Sequence, residues 1–211
     1  MALATYTDLL ATAGEWLNRA DLTAQIPDFV TLAEAQFNRR LRTRAQLAIV
    51  PLVVDAARVA LPADYSGIKT LSIDVARPQS LEYVTPDEMV RIRAERADAQ
   101  GLPRWFTIVG SQIEFAPRPD QTYNATLLYF QKLPRLSTAV GGVTWLLTAH
   151  PDLYLYATLA AASAFLQDDE RVPMWAAATD AIYESIEASD SAEVQTGQPL
   201  KMRVKPFGKR Y

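Results

Sequence analysis

The sequence predicts an α+β protein: N- and C-terminal helices form one helical bundle, a mainly antiparallel β-lobe is inserted between them, and an extended C-terminal tail follows. Three observations predict it. Apolar residues recur at helical spacing near both ends of the chain, before residue 45 and after His150. Between them, from Gln46 to Gln131, the period falls to two, in short β-branched or aromatic runs separated by Pro, Gly and Asp. The chain then closes on "GQPLKMRVKPFGKRY", where Pro199, Pro206, Gly197 and Gly208 leave no room for a helix. The expected divisions are residues 1–44 with 149–193 for the bundle, 45–148 for the lobe and 194–211 for the tail.

The first helix is marked by Tyr6, Leu9, Leu10, Ala13, Trp16 and Leu17, with Thr5 or Thr7 as N-cap. A second starts at Pro27, a favoured first-turn residue, and carries Phe29, Ala33, Phe37 and Leu41 at four-residue intervals. Arg39, Arg40, Arg42 and Arg44 end it, where cations complement the helix dipole.

In the lobe, "LAIVPLVV", "ARVALP", "IKTLSIDV", "SLEYV", "RWFTIVG", "QIEFAP" and "TYNATLLYF" predict six or seven strands, with a hairpin through Gly110-Ser111. One helix interrupts them. Thr85-Pro86-Asp87-Glu88 has the form of a capping box with proline at the first helical position, and the helix is expected over about 86–98. On it Arg91, Arg93 and Arg96 alternate with Glu88, Glu95 and Asp98, the pattern of a solvated or interface face. After "PRLSTAVGGVT", the run "HPDLYLYATLAAASAFL" is apolar almost all round, as a helix in the middle of a bundle is. The last helix follows Pro173, with Trp175, Ala178, Ile182 and Ile186 on one face and Asp180, Glu184 and Glu187 opposite.

Much chemistry is excluded. With no cysteine there is no disulfide, thiolate metal site or cysteine nucleophile. No P-loop, dinucleotide-binding glycine motif or G-x-S-x-G elbow occurs, and the single histidine, His150, is assigned to a helix-capping turn before Pro151. Asp168-Asp169-Glu170 marks the turn between two helices and supplies a cap rather than a cation site, with Arg171 at hand. Neither a signal peptide nor a membrane span is expected, which places synthesis in a reducing cytoplasm. The expectation is a protein that is no enzyme and holds no cofactor or metal.

Charge is divided unevenly. The chain has 21 Lys+Arg and 24 Asp+Glu, and residues 197–211 hold five bases and no acid, so residues 1–196 are left with 16 bases against 24 acids, a net −8. Along the tail Leu200, Met202 and Val204 fall on one edge and Lys201, Arg203 and Lys205 on the other. Phe207 and Tyr211 add aromatic anchors, and Lys209 and Arg210 add charge. Fully extended, fifteen residues reach about 50 Å. Such a strip suits a partner's sheet edge or an acidic-rimmed groove. A disordered solubilising tail and a salt-labile nucleic-acid contact are the alternatives.

The order of segments also resembles a known family. "YTDLLATAGEWLNRADLTAQIPDFVTLAEAQFNRRLR", "ALPADY", "LEYVTPDEM", "GLPRWFTIVGSQIEFAPRP", "LLYFQKLPRLS", "WLLTAHPDLYLYATLAAASAFLQDDERVPMW" and "GQPLKMR" follow one another as in the head-to-tail adaptor (connector) proteins of tailed bacteriophages, from about Tyr6 to Arg203. The resemblance implies a structural part of the virion, assembled in the host cytoplasm. It would form a ring, typically of twelve copies, beneath the portal protein, extend the DNA channel without sequence-specific binding, and present a platform to a downstream tail or nozzle protein. It also implies a C-terminal docking arm toward the portal or a neighbouring subunit, with Leu200 to Lys205, Phe207 and Lys209 to Tyr211 as the contact residues by the argument above. A tail-completion or stopper-like ring protein, a DNA-packaging accessory that contacts duplex DNA, and a hydrolytic enzyme acting through His150 or the 168–170 cluster are the competing readings.

Overall fold

The computed structural model describes residues 3–95, 99–166 and 170–195. Over the described residues it is α+β, with two mostly antiparallel sheets and six α-helices, the last of which follows the sheets near the C-terminal end. Helices α1 (Tyr6–Leu17) and α2 (Ile26–Arg40) come first. Strands β1 (Leu47–Val54), β2 (Arg58–Ala60), β3 (Tyr65–Ile73), β4 (Gln79–Ser80) and β5 (Glu82–Tyr83) follow. Then come α3 (Pro86–Glu95), β6 (Trp105–Val109), β7 (Gln112–Ala116) and β8 (Tyr123–Gln131). Helices α4 (Trp145–Ala149), α5 (Pro151–Ala161) and α6 (Val172–Gln195) complete the order.

Local sequence explains most boundaries. Thr5 caps α1 through a reciprocal box with Asp8, and Asn18 ends it in the left-handed region that short polar side chains tolerate. The Thr85 hydroxyl accepts the Glu88 N–H at the start of α3. Gly110, at φ 61°, and Ser111 make the two-residue turn between β6 and β7, with Val109 opposite Gln112. Helix α5 is shorter than expected: it ends at Ala161 and tightens into a 3₁₀ turn over Ala162–Phe165.

Among the described residues the strands number eight rather than six or seven, because "SLEYV" serves two sheets. The Leu81 N–H donates to the Leu71 carbonyl in one sheet, while the Glu82 and Val84 N–H groups donate to Arg104 and Phe106 in the other. The first sheet has the order β1-β8-β3-β4 and the second β2-β7-β6-β5, with β5–β6 the parallel pair. Their inner faces share one core: Leu71, Ile73, Ala125, Leu127 and Tyr129 from the first meet Phe106, Ile113 and Phe115 from the second.

A separate core belongs to the helices. Leu9, Phe29, Phe37, Tyr154, Leu159, Trp175 and Tyr183 lie in it, and α5 is packed by α1, α2 and α6. The chain crosses from β8 into this core through Leu133 and Leu136, and two polar side chains of α2 hold that crossing. Asn38 accepts the Leu133 N–H at 2.8 Å, and the buried Glu34 carboxylate accepts the Leu136 N–H at 2.6 Å. These bonds fix the helices against the strands.

Candidate assembly interface

Three surfaces have the chemistry to meet another protein. The first is built where α2 ends. Arg42 turns back and donates to the carbonyls of Asn38 and Leu41, the end-of-helix role expected for the whole arginine cluster. Arg40 and Arg44 instead reach across to α6. Arg40 pairs with Asp180 and Glu187, and Arg44 with Asp190 and Glu193; the Arg44 backbone N–H also donates to Asp190 at 2.9 Å. Each exposed pair alone contributes at most about 1 kcal/mol, but together they fix the C-terminal half of α6 beside the start of β1.

Between α2 and α6 this ladder leaves a groove of about 460 Å³, lined by Gln36, Arg39, Arg40, Ala160, Ala176, Thr179, Asp180 and Tyr183. The Arg40 guanidinium lies 4.1 Å from the Tyr183 ring centroid. Burial pushes the Tyr183 hydroxyl up to about 12; Asp180 adds to the rise while Arg40 and Arg39 oppose it. The hydroxyl is therefore a proton donor at neutral pH.

The second surface is the outer face of the first sheet. Opposite residues in an antiparallel pair share a face, so Leu47 with Phe130 and Ile49 with Leu128 form an apolar strip, continued by Pro51 and Val53. Ile49 is 71% and Val53 52% exposed. Strand β1 is also the end of its sheet. Proline sits in an edge strand with its nitrogen toward solvent, so Pro51 removes one outward donor and blunts the edge against strand addition. Replacing Pro51 with valine is expected to increase concentration-dependent aggregation, read by light scattering, while shifting stability by less than about 1 kcal/mol. Unchanged scattering would show that the proline has no such protective role.

The third surface is helix α3. The expected solvated face is only partly so: Arg91 pairs with Glu88 and Glu95, whereas Arg93 turns inward to the Glu114 carboxylate and the Phe115 carbonyl. Its partners lie on β7, a strand that helical periodicity cannot anticipate. Arg96 and Asp98 lie outside the described residues.

His150 occupies the junction of α4 and α5, as expected, and lines a smaller hollow of about 250 Å³ with Trp145, Thr43 and Arg44. Of the acidic turn, Asp168 and Asp169 lie outside the described residues. Arg171 donates to the Trp16 carbonyl and sits over the Trp175 ring. Among the described residues no group of three or more acidic or histidine side chains could hold a metal ion, and no helix is long and apolar enough to cross a membrane. The ten tail residues singled out above, Leu200 to Lys205, Phe207, Lys209, Arg210 and Tyr211, lie outside the described residues. Helix α6 runs to Gln195, two residues past Glu193, whose carboxylate pairs with Arg44, so Val194 and Gln195, expected in the extended tail, are helical.

Sequence reasoning missed Glu34, Asn38 and Tyr183. Glu34 left a signal, for it stands in the apolar stripe between Val30 and Phe37, where a carboxylate needs a buried partner.

A family model described as SU10 adaptor protein matches residues 4–203 of the chain. No curated protein matches it significantly.

Proposed function

The chain belongs to the SU10 adaptor protein family, a family of phage head-to-tail adaptors, and from that premise we propose that it assembles as a ring beneath the portal, extends the DNA channel and carries the next tail component. Membership makes it a structural protein of the virion, in association with portal and tail proteins.

The observation that carries the reading is the extent of the match. It runs from before α1 through α6 and on to Arg203, so it includes both cores and the first alternating residues of the basic tail. We assign the docking role to Leu200–Lys205, Phe207 and Lys209–Tyr211. Their apolar and basic edges fit an extended segment laid in an acidic-rimmed groove of the portal or of a neighbouring copy. Twelve copies is the expected number. The excess of acid in residues 1–196 suits a channel that repels phosphate and lets DNA pass without sticking.

The test is to mix the protein with the portal ring of the same genome, as the full chain and as a chain ending at Thr196, and to follow sizing chromatography and negative-stain images. The full chain is expected to add a second ring below the portal and the shortened chain to add none. Binding by both would move the docking role away from the tail, and binding by neither would remove the portal from the proposal.

A further inference from the structure

We infer that residues 200–206 lie along the outer face of the chain's own first sheet, on the apolar strip of β1, with Lys209 and Arg210 beside Asp55 and Asp74. The inference does not need the ring reading; it adds to it where the docking segment is held before a portal is met.

The strip and the segment match in length and in pattern. Leu47, Ile49, Pro51 and Val53 share the outer face of β1, with Ile49, Pro51 and Val53 exposed. Leu200, Met202, Val204 and Pro206 fall on one edge of an extended segment, again four apolar side chains at every second residue. Each set spans about 20 Å in extended backbone. Laid with that edge down, the segment covers the strip and leaves Lys201, Arg203 and Lys205 pointing to water. It lies over the face rather than beside the edge, because Pro51 blunts the edge. Its backbone N–H and C=O groups then stay at the sides, open to solvent.

Where α6 ends selects the occupant. The Arg44 backbone N–H donates to Asp190 at 2.9 Å, and its guanidinium pairs with Glu193. One 3₁₀ turn, Arg44–Gln46, separates that point from Leu47. Helix α6 runs on to Gln195, and the chain from there to Leu200 reaches about 17 Å when extended, enough to bring Leu200 to the Leu47 end of the strip. A tethered segment meets its own strip at a higher effective concentration than a second copy's. Running in the direction of β1, it sets Pro206 over Val53 and carries Lys209 and Arg210 past the end of the strand. Asp55 and Asp74 are exposed there and make no ion pair among the described residues; the Asp74 carboxylate accepts the Thr126 hydroxyl on that same outer face. At the opposite end Asp190 and Glu193 are already held by Arg44. Charge as well as reach therefore sets the direction.

The absence of cysteine makes the test clean. In the full chain Ile49→Cys, at a position 71% exposed and so outside both cores, is combined in turn with Lys201→Cys, Met202→Cys, Arg203→Cys and Val204→Cys. Each dilute protein is oxidised, and the rate of disulfide closure is followed by non-reducing gel electrophoresis and mass spectrometry. Closure within one chain is expected to run about tenfold faster from positions 202 and 204 than from 201 and 203, because only the even positions face the strip. A loose tether would close from all four alike. Asp55→Lys with Asp74→Lys should lower the even-over-odd advantage about threefold. Equal rates at even and odd positions, an advantage indifferent to the two lysines, or bonds formed mainly between chains would overturn the inference. The chain closed between 49 and 202 is then mixed with the portal ring, where it is expected to add no second ring until it is reduced. If the closed chain adds a ring, the portal-docking role leaves the tail while the strip assignment stands. If the reduced chains add a ring but show no even-over-odd advantage, the strip assignment fails and the adaptor reading stands.

Discussion

Replacing Phe37 with alanine will destabilise the protein by about 3–5 kcal/mol, the range for emptying a fully buried aromatic site. Phe37 is 0% exposed and stands where three helices meet. Its ring lies edge-on to Tyr154 of α5 at 4.9 Å between centroids, and to Tyr183 of α6 at 6.3 Å. Truncation removes both aromatic pairs and leaves a void that rigid helices close only in part. Chemical denaturation monitored by circular dichroism measures the loss. A cost below about 1 kcal/mol would mean that the site collapses around the void and that Phe37 does not tie the three helices together.

Glu34 gives the second large effect, and it depends on pH. Burial, the dominant influence, raises its carboxyl above the ordinary range; the Leu136 N–H and the charge of Arg135 pull it partly back. A carboxyl with a raised native pKa holds its proton more tightly folded than unfolded. Its stabilising contribution is thus complete below the unfolded value of about 4.3 and declines as pH rises through the native value. Glu34→Gln keeps an oxygen acceptor for the Leu136 N–H and cannot ionise, so wild type should lose ground to it between about pH 4 and about pH 7. Glu34→Ala leaves the N–H of Leu136, itself 0% exposed, without its acceptor and should cost about 1–3 kcal/mol. Urea titrations of the three proteins at both pH values check this. A wild-type-to-Gln difference that stays constant, or that widens in favour of wild type, would contradict it.

The two residues also show what the sequence discloses. Phe37 was legible, because Phe29, Ala33, Phe37 and Leu41 repeat every four residues and such a stripe has to be buried. Glu34 was visible only as an acid out of place. Its partner, Leu136, is 102 residues away in sequence, and no local pattern connects the two. The arginines divide in the same way. Arg42 acts on carbonyls within its own helix end, which the dipole argument anticipates. The partners of Arg40 and Arg44 lie at residues 180 to 193, and only the packing of α6 brings them close.

What the sequence determined by itself is the set of local decisions: the Thr5 cap, the Gly110-Ser111 turn, the period-two strands, the apolar stripe of α2 and the apolar run of α5. Each rests on dihedral preference or on a repeat within a few residues, physics that a short window contains. The tertiary structure alone decided that "SLEYV" changes sheets, that Arg93 turns toward β7, that two α2 side chains hold the crossing from β8, and that Arg40 and Arg44 reach α6. Those outcomes depend on which distant donors and acceptors arrive at one place, and chain connectivity sets that only after the helices and sheets have packed.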